Sequence, residues 1–197
     1  MRTARLEAFT DGVVAIIITI MVLDLKVPES ADPHALLAAA PLFLAYVLAY
    51  VNVGLYWANH HHLLHVTERV DGRVLWANLF LLFWLSLVPF VIRWVDEAGL
   101  APAPVAAYGL VLGMAAVAYR LLVMAIVAVN GQDSEVARAI GRDRKGLGSL
   151  ASYIVAMPLA FVAPWIAILI YVGVALVWLI PDRRIERRVE GQSSSSS

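Results

Sequence analysis

The sequence predicts an all-α membrane protein whose subunit crosses the bilayer with six helices and keeps both termini in the cytoplasm. Three observations lead there. Of the 197 residues, 61% are apolar and only 15% charged, and the mean hydropathy of +0.78 lies outside the composition of soluble domains. The apolar residues gather into runs long enough to cross a bilayer, and the basic residues fall in alternate connections between those runs. There is no cysteine, so a disulfide framework, a thiolate metal site and thiol chemistry are all excluded.

A crossing helix takes roughly 20 mainly apolar residues, each adding about 1.5 Å across a hydrocarbon layer about 30 Å thick. The first span runs from Phe9 to Val27. Its apolar run continues without an A-x-A-like cleavage site and keeps Asp11 inside it, so it reads as a retained helix rather than a signal peptide. Leu36 to Asn59, Val74 to Val95 and Val105 to Val129 meet the length requirement in the same way. Leu147 to Ile180 is too long for one crossing and is interrupted by Pro158, Pro164 and Trp165. Two short helices joined near Ala163-Pro164 fit it better, because proline suits a helix's first turn and the residue before it disfavours the helical conformation.

Six crossings place both termini on one side. That side receives Arg2, Arg5, Arg69, Arg73, Arg138, Arg142, Arg144, Lys145, Arg183, Arg184, Arg187 and Arg188, twelve of the fifteen basic residues. Lys26 and Arg93 fall opposite, and Arg120 lies within the fourth span, so the positive-inside rule makes the termini cytoplasmic. Connections are short, the longest running from about Asn130 to Gly146, which leaves one membrane domain over residues 1–181. Residues 182–197 form a charged and then Ser-rich tail, read as disordered. No sequence repeat relates the two halves.

Polar groups inside a bilayer are costly unless partnered, and their depths are informative. Thr10 and Asp11 stand at the cytoplasmic end of the first helix; Asn59, His60, His61 and His62 end the second at that level, and Trp76 and Asn78 open the third. One reading is a hydrogen-bonded clasp holding the first helix to the second and third. Two functional readings stand beside it. His61 and His65, at i, i+4, with Asp11, have the spacing of a zinc site, and the histidines could relay protons. Arg120 either snorkels to the interface or is a charge that senses voltage or pairs with a buried acid. The aromatic residues Tyr56, Trp57, Trp84, Trp94, Trp165, Tyr171 and Trp178 fit interfacial belts or helix packing. GxxxxGK[ST], GxGxxG and GxSxG are absent, so no enzyme, cofactor or nucleic-acid partner is expected.

Residues advance about 100° around a helix, so Ile16, Thr19, Ile20 and Leu23 form one stripe that Gly12 begins. Asp11 lies about 140° from Ile16 by the same arithmetic. The acid and the stripe face nearly opposite ways.

The stretch RLEAFTDGVVAIIITIMVLDLKVP resembles the first helix of the transmembrane protein 175 family of potassium channels, whose hallmark is R-x-x-x-F-S-D. Arg5, Phe9 and Asp11 match, and Thr10 replaces the serine while keeping a hydroxyl. The likeness extends to helix count, orientation, the LxLKVP exit of the first helix, the His-rich end of the second and the Asn-bearing third. It implies a homotetramer in the cell membrane, with four first helices lining a central pore for potassium ions. It further implies Ile16 as the hydrophobic constriction, Ile20 and Leu23 as further aliphatic layers, and Thr19 in ion selection. Arg5, Phe9, Thr10, Asp11, His60, His61, Trp76 and Asn78 form the structural motif and clasp. The expected activity is passive, potassium-permeable cation conduction gated by that constriction. The alternative is a proton-coupled or metal-ion transporter using Asp11 and the His60 to His62 cluster. No TVGYG-like filter is present, so a carbonyl cage does not apply.

Overall fold

Apolar runs in this chain become helices wherever backbone polar groups must be satisfied without water, since a helix closes its hydrogen bonds within one segment. The computed structural model describes residues 3–23, 25, 27, 34, 37, 40–140 and 143–179, and among these there is no strand. In chain order the helices are α1 (Thr3–Leu23), α2 (Ala40–His65), α3 (Gly72–Ser86), α4 (Val88–Glu97), α5 (Pro102–Asn130), α6 (Glu135–Ile140), α7 (Arg144–Leu159) and α8 (Pro164–Leu179). Four stretches are long and apolar enough to cross a membrane: Thr3–Leu23, Leu42–His65, Gly72–Glu97 and Pro102–Asn130. Pro164–Leu179 is a shorter apolar helix. The protein is thus a multi-pass membrane protein. Half of the LxLKVP exit and the whole tail at 182–197 lie outside the described residues.

Element ends follow local chemistry. Asp71 caps α3, its Oδ1 accepting from the N–H groups of Arg73 and Val74 at 2.9 and 3.1 Å. Asp143 caps α7 by accepting from the Gly146 N–H at 2.8 Å. The third span is broken at Leu87, a feature the hydropathy pattern did not reveal. Pro89 has no N–H to offer the Leu85 carbonyl, and the Leu87 N–H turns to the carbonyl of Trp84 at 3.2 Å instead. The expected break in the last long run is present: α7 ends at Leu159 and α8 starts on Pro164. α1 begins six residues earlier than hydropathy suggests, at Thr3, and α2 continues to His65. Both ends carry polar side chains that a helix projecting into the interface can keep solvated.

α5 is the hub, packing against α3, α4, α7 and α8. Its Gly109-x-x-x-Gly113 spacing lets two tyrosines approach its backbone. Tyr171 of α8 covers Gly109, where a Cβ would overlap its ring, and Tyr153 of α7 lies over Gly113. The Tyr171 hydroxyl donates to the Val105 carbonyl at 3.2 Å, and its ring meets Tyr108 edge-on at 5.7 Å. Tyr119 ties α5 to α2 by donating to the Asn59 carbonyl at 3.2 Å, and Trp178 ties α8 to α7 through Ser149 at 2.8 Å. α1 packs on α2, α3 and α4 at one edge of this bundle. Among the described residues, its remaining side is therefore uncovered.

Candidate functional site

The inner face of α1 is Leu6, Thr10, Val14, Ile17 and Met21, all buried, at the three- and four-residue spacings of one helix stripe. Thr10 is the polar member of that stripe, and it meets a matching group. Asn78 of α3 donates through Nδ2 to the Thr10 hydroxyl oxygen at 2.9 Å. The same amide accepts from His60 of α2, whose Nε2 lies 2.7 Å from Asn78 Oδ1, so Nε2 carries the proton. Thr10 and His60 are 1% exposed and Asn78 is 0%. One amide thus joins three helices while satisfying its own buried donor and acceptor.

A second row of contacts runs along the seam between α1 and α2, nearer the surface. The Trp57 indole N–H donates to Asp11 Oδ1 at 2.8 Å, and His61 Nδ1 lies 2.9 Å from Glu7 Oε1. Further toward the chain's start, the Thr3 hydroxyl donates to the Thr67 carbonyl at 3.3 Å. Glu7 and Asp11 are one turn apart on α1, as are Trp57 and His61 on α2, and the antiparallel helices pair them rung by rung.

Several expected members of the clasp stand elsewhere. Trp76 is 75% exposed and takes no part; the indole on Asp11 is that of Trp57. On α3, Trp76 precedes Asn78 by two residues, about 200° around the helix, so the two cannot share a face. Arg5 and Phe9 are exposed, because they lie in line with Gly12 and Ile16 rather than with Thr10. Asn59 bonds within its own helix, donating to the Leu55 carbonyl at 2.7 Å. Arg120 pairs with Asp143, Nη1 to Oδ2 at 3.7 Å, and both side chains are well exposed.

The outer face of α1 carries the other set of residues. Ile16 is 59% exposed, Ile20 46% and Leu23 81%, and Gly12 and Thr19 are exposed beside them. The Thr19 hydroxyl donates back to its own helix, 2.9 Å from the Ala15 carbonyl and 3.0 Å from that of Ile16. Its proton is thereby turned inward and its oxygen lone pairs outward, an arrangement that presents an acceptor to a cation.

Trp57 and Glu7 were missed from the sequence. The signal was present in the matched i, i+4 spacings of Glu7 with Asp11 and Trp57 with His61, but nothing in the sequence says that those two rows meet. Among the described residues, no group of three His, Asp or Glu side chains is placed to hold a metal ion. Of the groups assigned to a transporter, Asp11 is engaged with an indole, His60 with an amide and His61 with Glu7, while His62 is exposed.

The family model described as "Endosomal/lysosomal potassium channel TMEM175" matches residues 5–89. A protein of a Chryseobacterium species named a potassium channel is 48% identical over 190 residues, covering 96% of this chain and 99% of its own. Another from Streptomyces collinus, likewise named a potassium channel, is 35% identical over 82% of this chain and 84% of its own. Among solved structures, a lysosomal potassium-selective channel TMEM175 homologue from Chamaesiphon minutus superposes with a TM-score of 0.76 at 25% identity. It covers 90% of this chain and 96% of that one.

Proposed function

The chain belongs to the TMEM175 family of potassium channels, and on that premise we propose that it is a passive, potassium-permeable cation channel of the cell membrane. The family is one of ion channels and not of enzymes. The active form is a homotetramer of six-helix subunits with cytoplasmic termini, in which residues 1–181 form the channel and 182–197 a disordered tail. Four copies of α1 line the pore.

The observation that carries this reading is the division of α1 into two faces. One is tied to α2 and α3 by buried polar bonds, and the other, with Ile16, Thr19, Ile20 and Leu23, is left uncovered by the described residues of its own subunit. Four Ile16 side chains around an axis make a narrow apolar ring, which gates by dewetting because an ion there loses hydration without gaining ligands. Four Thr19 oxygens, with lone pairs outward, replace part of the lost water and give modest discrimination between cations. Ile20 and Leu23 extend the apolar layers. Dilation or rotation of α1 admits water.

The test is potassium flux into vesicles holding the purified protein. Ile16→Asn, which wets the ring, raises flux at least several-fold. Absence of potassium flux from the unmodified protein, or flux unchanged in Ile16→Asn, refutes the reading. A transporter would instead saturate with potassium and respond to a proton gradient.

A further inference from the structure

We propose that the cleft between α2, α5, α7 and α8 binds one phospholipid whose headgroup carries both a phosphate and a primary amine, as phosphatidylethanolamine does. An inner cavity of about 60 Å³ lies there, partly open to the outside, and its walls include Asn52 and Asn59 of α2, Tyr119 and Arg120 of α5, and Asp143 and Tyr153 at α7. α1 packs on α2, α3 and α4. On α2, Asn52 comes nine residues before His61, which faces Glu7 of α1, and so lies about 180° from it around the helix. Because α1 lines the pore axis on the proposed reading, the cleft opens away from that axis and toward the bilayer.

Depth and charge identify the occupant. The mouth lies where α7 begins, at its cap Asp143, and where α8 ends, beside Trp178, whose indole donates to Ser149 at 2.8 Å. An indole at a helix end marks the headgroup level of a bilayer. Here Arg120 Nη1 stands 3.7 Å from Asp143 Oδ2, a loose pair that leaves most of the guanidinium's N–H donors to spare. A cation and an anion side by side offer no net charge to an anionic headgroup, but they match a zwitterionic one. The guanidinium donates to the phosphate oxygens, and the carboxylate accepts from the ammonium. A trimethylated amine has no N–H to give that carboxylate.

A second observation stands deeper in the cleft. Tyr153 is 3% exposed and lines the cavity, and its hydroxyl has no hydrogen-bond partner among the described residues. Neighbouring donors are spent: Asn52 and Asn59 donate to the carbonyls of Leu48 and Leu55, and Tyr119 to that of Asn59. Side chains lean toward a helix's N-terminus, so Tyr153 reaches back from the middle of α7 toward the mouth. A buried hydroxyl needs an acceptor, and the ester carbonyl of a phospholipid supplies one. A space of about 60 Å³ takes an ester group, the room of about two waters, and no acyl chain, so the chains lie outside it in the bilayer.

Native mass spectrometry of the full-length protein in detergent tests this, with phosphatidylethanolamine, phosphatidylcholine or phosphatidylglycerol of identical chains added. The expected result is binding of phosphatidylethanolamine about three- to fivefold tighter than of either other lipid, the size one partly exposed charge pair supports. Asp143→Asn, which keeps a side chain able to cap α7, removes that preference, and Tyr153→Phe weakens all three lipids roughly threefold. Thermal unfolding of the unmodified protein gives a second reading that depends on no variant: phosphatidylethanolamine raises the melting temperature by about 2–4 °C more than phosphatidylcholine does. Equal binding of the three lipids, a preference for phosphatidylglycerol, a preference unchanged in Asp143→Asn, or displacement by chain-free phosphoethanolamine at equal concentration overturns the proposal. Neither reading needs current, so a protein that conducts nothing yet keeps the preference supports the lipid site and counts against the channel reading alone.

Discussion

Replacing Asn78 with leucine removes a side chain that joins three helices. The amide donates to Thr10 at 2.9 Å and accepts from His60 at 2.7 Å, so Asn78→Leu deletes both bonds at similar side-chain size. Interhelical side-chain hydrogen bonds within membranes average about 0.6 kcal/mol and reach about 1.7, so the two bonds together are worth ~1–3 kcal/mol. The orphans decide where the cost falls in that range. Thr10 can turn its hydroxyl to the carbonyl one turn back, as threonines within helices do. His60 has no such route, because its Nε2–H is buried with the ring 1% exposed, and a stranded buried donor costs roughly 1–3 kcal/mol. We therefore expect Asn78→Leu to destabilise the subunit by about 2–3 kcal/mol, the upper part of that range. Thr10→Val, which strands only one amide hydrogen, should cost about 1 kcal/mol. Reversible unfolding in mixed micelles of mild detergent and dodecyl sulfate measures both. In the double variant Thr10→Val should add almost nothing, since its partner is already gone. A cost for Asn78→Leu below about 0.5 kcal/mol, or additivity of the two, would show that the network is not what holds α1.

Two further outcomes follow from the packing. Trp57→Phe should destabilise by about 1–2 kcal/mol through loss of the charge-assisted bond to Asp11, discounted for partial exposure, whereas Trp76→Phe should stay within about 0.5 kcal/mol; the same unfolding assay compares them, and equal effects would contradict the assignment. Gly109→Ala should cost about 1–3 kcal/mol by pushing Tyr171 off α5 and away from the Val105 carbonyl, read as a lower melting temperature of the detergent-solubilised protein.

Much of the candidate site was legible because it depends on helix periodicity alone. That Asp11 and Ile16 face apart follows from about 100° per residue, and the buried and exposed stripes of α1 lie as that angle requires. The same arithmetic, applied to α3, would have separated Trp76 from Asn78, and applied to α1 would have placed Arg5 and Phe9 on the outer face. Depth along the membrane brought Trp76 into the expected clasp; angle around the helix takes it out. The break at Leu87 was hidden for another reason. Hydropathy continues smoothly across it, and only the missing N–H of Pro89 marks the position.

By itself, the sequence determined the four segments long and apolar enough to cross a membrane, where the last long run divides, and that α1 has a polar-anchored face and an aliphatic one. These follow from hydropathy, proline chemistry and a fixed angular period, all properties of a single segment. Tertiary structure decided the partners: Asn78 rather than Trp76 as the bridge to Thr10, Trp57 as the donor to Asp11, and Glu7 as the acid beside His61. Partner choice depends on how two helices are rotated and registered against one another. That register is set by packing summed over whole interfaces, which no single stretch of residues encodes.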